Sequence, residues 1–238
     1  MNQIAHSGSS DAPRGNSFVI AALTLRTLAY ALLLAALMQA AQTGVRLLMT
    51  LLLGGITSLL TLLSLAVLAG EIIAKITWSA LICEALVWLT ILARRRWILP
   101  LLVLLGVTLF AVAFGQLLRV FVESILAAVS TLSVQSALES AIYHAGKYVL
   151  LGPAAAWANS RSAHALRDYF LAGVAAAALA VAITAFVHPG MTLTTMAGEM
   201  VVDSLFPVGC LLVVWKVRDL AQPLIKTHAD YRSRLRSL

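Results

Sequence analysis

The chain has 238 residues, of which 61% are hydrophobic and only 11% are charged, and its net charge is +7. Soluble domains average about 45–50% apolar and about 25% charged residues, so a mean hydropathy of +0.94 excludes a water-soluble globular fold. We therefore expect an all-α protein, a polytopic transmembrane helical bundle surrounded by lipid.

The excess of basic residues does not indicate a nucleic-acid-binding protein. Arginines and lysines flank the apolar runs and form no continuous stripe interleaved with aromatic residues. Such flanking charges are typical of residues that set orientation in a membrane and contact anionic lipid headgroups. We expect the lipid bilayer as a partner and no nucleic acid.

Apolar runs of about 20 residues, the length that crosses a bilayer, follow one another along the chain. Residues 1–17 precede them as a flexible polar tail. Residues 18–215 form the transmembrane domain, and residues 216–238 form a basic cytoplasmic tail. The predicted crossings are 18–41, 47–70, 72–93, 97–118, 120–142, 169–187 and 201–215.

The crossing 120–142 is inferred from charge bias, because it is less apolar than the others. The arginine triplet 94–96 and the basic tail should both be cytoplasmic, so the chain must cross an even number of times between them. Seven crossings place thirteen basic residues inside and three outside, with the N-terminus outside and the C-terminus inside. If 120–142 is interfacial, six crossings remain. The topology anchors are Arg94, Arg95, Arg96, Arg232, Arg234 and Arg236.

Ionisable residues in the predicted crossings form a candidate intramembrane ion site, because a charge there costs about 2.5–3.5 kcal/mol on insertion scales. Glu84 lies at the midpoint of the third crossing. It is either a proton- or cation-binding carboxylate, or a partner in a helix–helix hydrogen bond or an ion pair with Arg26. Arg26 can instead extend its long side chain to the membrane surface. Glu199 and Asp203, four residues apart, either form a paired-carboxylate cation site or lie at a hydrated helix end.

Other polar and small residues mark candidate helix faces. A polar face at helical spacing could line an aqueous path, contact a partner subunit or pack within the bundle. Its members are Ser124, Thr131, Gln135 and Glu139. Small residues around Gly173 allow close helix packing, either internally or in an assembly. Pro207 with Gly209 either interrupts the last crossing, as in transporters, or occupies an ordinary membrane helix.

The sequence predicts no cofactor, metal site or catalytic residues. Cys83 and Cys210 lie in apolar runs without metal-ligand spacing. Only one histidine, His188, adjoins a crossing, and the following proline and glycine indicate a turn, so haem is not expected. No nucleophile elbow, zinc-protease motif or phosphate-binding glycine loop occurs. We expect that the protein is not an enzyme.

Two functions agree with this pattern. The first is a non-catalytic integral membrane subunit of a larger complex of the secretion, conjugation or respiratory type, contacting other subunits or a second copy of itself. The alternative is a small proton- or cation-coupled transporter or channel using Glu84 and Asp203, which should then meet in one water-accessible cavity. In a subunit, the polar and small-residue faces should point outward. Arginine, alanine and leucine enrichment favours a GC-rich bacterium, and hence its inner membrane.

Overall fold

A computed structural model describes residues 12–53, 65–92, 98–127, 134–160, 165–187 and 192–236. Over these ranges the chain is helical and contains no strand, which confirms the expected all-α bundle. The helices are α1 (Ala12–Leu53), α2 (Leu65–Leu92), α3 (Ile98–Ala127), α4 (Val134–Tyr148), α5 (Leu151–Ser160), α6 (Leu166–Val187) and α7 (Leu193–Arg236).

Among the described residues, five helices are long and apolar enough to cross a membrane, so the predicted count of seven crossings is wrong. The segments are Ser17–Leu53, Val67–Thr90, Leu101–Leu126, Leu166–Val187 and Leu193–Gln222. The expected break near residue 44 does not occur, and α1 continues to Leu53. Its polar side chains there find partners on neighbouring helices, so the helix can continue through them.

The predicted crossing 120–142 is divided between two helices. Its first part ends α3 and its last part lies in α4, while residues 128–133 fall outside the described residues. A turn at residues 149–150 then separates α4 from α5. Pro153 lies in the first turn of α5, where its missing N–H removes no helical hydrogen bond. The Ala154 N–H donates to the Leu150 carbonyl at 2.9 Å and closes this turn.

Ion pairs show which helix ends lie together. Arg46, near the end of α1, lies 2.8 Å from Glu71 at the start of α2 and 3.6 Å from Glu199 at the start of α7. Arg119, near the end of α3, lies 3.8 Å from Glu71. We call this the distal end of the bundle. The proximal end is the opposite one, where α1 begins and α7 ends.

Helices α4 and α5 together run antiparallel to α6. Tyr143 in α4 contacts Thr184 near the end of α6, and Asn159 in α5 contacts Tyr169 near its beginning. These contacts span 15 residues of α6, or about 22 Å at 1.5 Å per residue. The described helices therefore traverse the bundle six times if α4 and α5 count as one traversal, although neither of these two is long enough to cross a membrane alone.

The small-residue face of α6 is internal. Gly173, Ala176, Ala177 and Ala180 are all buried. A Cβ added to Gly173 would lie 2.8 Å from the Cα atom of Val208 in α7, so the two backbones are in close contact. This contact is why the face is small, and it leaves that face unavailable to another subunit.

Charged residues are spaced along the helices at the thickness of a bilayer. In α1, Arg26 and Arg46 are 20 residues apart, or about 30 Å of helix. In α7, Glu199 and Arg218 are 19 residues apart, or about 28 Å. The hydrocarbon core of a bilayer is about 30 Å thick, so both helices present a charged residue near each surface. Helix α7 also carries Asp203 and Lys216 between Glu199 and Arg218. Arg26 is exposed near the proximal end, which agrees with the interpretation that its side chain reaches the surface.

Candidate functional site

The distal end contains a network of ion pairs centred on Glu71. Arg46, Lys75 and Arg119 all approach its carboxylate, at 2.8, 3.7 and 3.8 Å respectively. Lys75 lies one helical turn after Glu71, so the two share a face of α2. Arg119 also lies 2.7 Å from Glu123, one turn further along α3. The network therefore joins α1, α2 and α3 through charges that compensate one another.

Glutamine side chains extend this network into α1. Gln39 accepts a hydrogen bond from Lys75 and donates one to Glu71 at 3.3 Å. Gln42 donates to Glu199 of α7 at 3.1 Å. Gln42 lies in the predicted link between the crossings 18–41 and 47–70, and Gln39 lies just before that link. Each has a polar partner instead, so α1 remains helical.

A cavity of about 340 Å³ lies beside this network. Its wall combines three basic residues, three acidic residues and an aromatic surface. They are, in that order, Arg46, Lys75 and Arg119; Glu71, Glu139 and Glu199; and Trp78, Tyr143 and His144. Five helices, α1 to α4 and α7, contribute to the wall.

Several polar atoms of the cavity-lining residues have no hydrogen-bond partner among the described residues. They include Trp78 Nε1, Gln42 Oε1, Arg46 Nε and Gln116 Oε1. Trp78 is only 7% exposed and Gln42 only 2%. Buried polar atoms in proteins are normally satisfied, commonly by ordered water where the surroundings are polar and roomy. The wall therefore retains hydrogen-bonding capacity for water or a polar ligand.

A second buried ion pair lies among α4, α6 and α7. Lys147 Nζ is 2.6 Å from Asp203 Oδ1, and neither side chain is exposed. The Tyr148 hydroxyl donates to the same oxygen at 2.8 Å, and the Thr184 hydroxyl donates to Oδ2. Lys147 Nζ also lies 4.4 Å from the centre of the Tyr143 ring. Asp203 is thus fully hydrogen-bonded and electrically compensated in a site closed to solvent.

The candidate acids do not form the sites proposed from sequence. Glu199 pairs with Gln42 and Arg46, whereas Asp203 pairs with Lys147, so the two carboxylates share no cation site. Glu84 does not line the cavity and is not brought together with Asp203 there.

Glu84 and Arg26, both in the described part of the chain, form no ion pair. Glu84 is half-buried in α2, and its Oε1 has no hydrogen-bond partner among the described residues.

The polar face predicted on one helix is spread over two. Ser124 ends α3, is exposed, and donates back to the Val120 carbonyl at 2.7 Å. Thr131 lies outside the described residues. Gln135 and Glu139 are exposed on α4, where the glutamine amide donates to the carboxylate at 3.0 Å. Of the three members that the structure describes, Glu139 alone lines the cavity.

Helix α7 is continuous through Pro207 and Gly209, so the described residues form no broken helix there. It extends to Arg236, which makes the backbone of the basic tail a continuation of the last crossing. The arginine triplet 94–96 and His188 lie outside the described residues.

Four residues of the network were not predicted as site residues from the sequence: Arg46, Glu71, Lys75 and Arg119. One signal was available for Glu71, Lys75 and Arg119, because the predicted topology puts the crossing ends near them at one surface, whereas it puts Arg46 at the other. Helices that alternate in direction bring such ends together at one surface.

Comparison with known proteins gave no matching family model, curated protein or solved structure. Among the described residues, no group of three or more His, Cys, Asp or Glu side chains is placed to hold a metal ion. The fold defines an integral, multi-pass helical membrane protein. Its interior contains a cavity at the distal end that is lined by acidic and basic side chains.

Proposed function

We propose that this membrane protein binds a small polar solute in the distal cavity and acts as a transporter of that solute. The observation that carries the proposal is the 340 Å³ cavity, lined by charges of both signs near the membrane surface. Ligand pockets occupy about 300–1,000 Å³, so the space suits a small molecule. Charged residues within membrane-spanning helices are costly and commonly mark substrate or ion pathways.

The cavity wall favours a solute that carries both charges. Arg46 and Arg119 can bind a carboxylate, while Glu139 and Glu199 can bind an ammonium group. The ring of Trp78 offers a surface for the cationic part. Three basic and three acidic residues on the wall leave no excess of either sign. A zwitterion of amino-acid size satisfies these conditions best.

Ligand-dependent thermal stability tests this proposal with the full chain purified in detergent. Cys83 and Cys210 are its only cysteines and are both fully buried, so a fluorogenic maleimide reports unfolding. The probes are glutamine and glycine betaine as zwitterions, choline as a cation and succinate as an anion. A zwitterion present at a hundred times its Kd should add about 2.7 kcal/mol of stability.

Trp78→Phe removes the indole N–H and should weaken the stabilisation by a zwitterion. Phe110→Leu, on an exposed position of α3, provides the control and should keep it. Equal melting temperatures with and without all four probes would contradict the proposal.

We further propose that both termini are cytoplasmic and that the protein lies in a bacterial inner membrane. Thirteen of the seventeen basic residues belong to the proximal end or the segments joined to it. The sequences that connect α1 to α2, α3 to α4 and α6 to α7, whose flanking helix ends are distal, contain no lysine or arginine. The positive-inside rule therefore makes the proximal end cytoplasmic. This replaces the expected outside N-terminus, because α1 accounts for one crossing where two were predicted.

Alkaline phosphatase fusions test the orientation, since the enzyme is active only outside the cytoplasm. A fusion after residue 60 should be active, and fusions at either terminus should be inactive. Activity at the N-terminus with inactivity at Leu238 would restore the orientation expected from seven crossings.

A subunit function remains the second candidate because of the exposed surface of α4. Gln135 and Glu139 are exposed beside Leu138 and Ile142, which are 52% and 67% exposed. A mixed polar and apolar surface of this kind suits a partner helix better than uniform lipid. Co-purification from native membranes, lost in Leu138→Ala with Ile142→Ala, supports this candidate. Retention of the same proteins by that variant opposes it.

A further inference from the structure

We propose that Asp203 is a proton-binding site loaded from the distal cavity through the hydroxyl groups of Tyr143 and Thr184, which makes solute transport proton-coupled. This inference rests on the proposed transport function. It adds the coupling ion and the path that the ion follows.

A continuous chain of hydrogen bonds joins the cavity wall to the buried acid. Tyr143 is half-buried and lines the cavity. Its hydroxyl donates to Thr184 Oγ1 at 2.7 Å, and the Thr184 hydroxyl donates to Asp203 Oδ2. Thr184 and Asp203 are both fully buried. The chain therefore leads from an accessible residue of α4, through α6, to a closed site on α7.

Proton transfer along this chain balances at each atom. A hydronium ion in the cavity gives its proton to the Tyr143 oxygen, while the Tyr143 hydroxyl proton moves to the Thr184 oxygen. The Thr184 hydroxyl proton moves to Asp203 Oδ2. Both hydroxyl groups are restored, the hydronium ion becomes water, and Asp203 becomes a neutral carboxylic acid. No oxidant or further reactant is needed.

Charged and titratable groups around Asp203 come from several helices. Lys147 and Tyr148 of α4 contact its carboxylate directly, and α6 contributes the uncharged Thr184. Around the adjoining cavity lie His144 of α4, Glu199 of α7, Lys75 of α2 and Arg46 of α1, and Cys210 follows further along α7. Lys147 is the only one of these cations that is hydrogen-bonded or ion-paired to Asp203 among the described residues.

Protonation of Asp203 leaves Lys147 without its counterion, while the ammonium group still donates to Thr184 Oγ1 at 3.3 Å. The ammonium group lies 4.4 Å from the centre of the Tyr143 ring, and Tyr143 forms part of the cavity wall. A buried cation without a counterion is strongly unfavourable, so a solute carboxylate that moves past the Tyr143 ring, which separates Lys147 from the cavity, becomes its replacement partner. One proton and one solute carboxylate then enter together, and the net charge of the site is unchanged.

Proton uptake by the purified full-length protein tests the inference. The protein is acidified rapidly in weak buffer, and a soluble pH indicator gives the number and rate of protons bound. Wild type should bind one more proton per chain than Asp203→Asn. Tyr143→Phe should bind the same number, but more slowly by on the order of a hundredfold, the low end of what a positioned proton-transfer group contributes.

Two further variants keep the test decisive. Tyr169→Phe, which removes a buried hydroxyl bonded to Asn159 far from this chain, should behave as wild type. If Asp203→Asn does not fold, Lys147→Met combined with Asp203→Asn removes both charges and should lack the same proton. Uptake unchanged by loss of Asp203, or a wild-type rate in Tyr143→Phe, overturns the inference.

The proton-uptake experiment and the ligand-stabilisation experiment can fail independently of each other. Stabilisation by a zwitterion without the proton linked to Asp203 refutes only the coupling. Uptake of that proton without stabilisation by any of the four probes refutes solute binding in the cavity and leaves Asp203 as a proton site.

Discussion

Breaking the Lys147–Asp203 pair on one side should destabilise the protein far more than removing both charges. The two groups lie 2.6 Å apart with no exposed surface, so neither can recruit water when its partner is lost. Removal of one member of a buried pair costs about 3–5 kcal/mol. Lys147→Met and Asp203→Asn should each lose this amount. Additive losses would reach about 6–10 kcal/mol, comparable to the whole stability of a typical protein at about 5–15 kcal/mol.

The double variant should instead approach wild-type stability, because methionine and asparagine leave no uncompensated charge. The asparagine side chain retains an oxygen that can accept from the Tyr148 hydroxyl, which in the wild type donates to Asp203 at 2.8 Å. Unfolding in mixed micelles, followed by circular dichroism and thiol exposure, measures all three variants. Lys216→Met, at an exposed lysine, is the control and should change stability by less than about 0.5 kcal/mol. Single variants as stable as the control, or a double variant with the summed loss, would refute this reasoning.

Three further predictions concern helix contacts. The Sγ atoms of Cys83 and Cys210 lie 3.6 Å apart, so a membrane-permeant oxidant should form a disulfide between them within one chain. A disulfide-linked dimer would contradict this packing. Gly173→Ala should lower the free energy of unfolding by about 1–3 kcal/mol, because the added Cβ meets the backbone of α7. Gly44→Ala, where the added Cβ has no atom within 4 Å, should leave the free energy of unfolding unchanged or raise it by up to about 1 kcal/mol. Equal stabilities of the two variants would contradict this difference. Glu84→Met should raise the melting temperature, because it removes a buried oxygen without a hydrogen-bond partner and loses only one hydrogen bond, from Trp88. An unchanged or lower melting temperature would contradict this reasoning.

The sequence identified several polar residues of the interior, but their partners appear only in the tertiary structure. Glu199 and Asp203 share a face of α7, and their spacing left two possibilities open, a paired-carboxylate cation site or a hydrated helix end. In the fold, Glu199 meets Arg46 of α1, while Asp203 meets Lys147 of α4. These partners are far apart in the sequence, and no periodicity within a helix can indicate them.

Composition alone determined that the chain is helical and surrounded by lipid, because so few charges and so many apolar residues leave backbone hydrogen bonds to be satisfied within helices. The number of traversals required the tertiary structure. Polar residues such as Gln39 and Gln42 end an apolar run only if they face lipid, and here neighbouring helices supply their partners. A hydropathy pattern records the cost of burying a polar group, whereas the fold decides whether a partner offsets that cost.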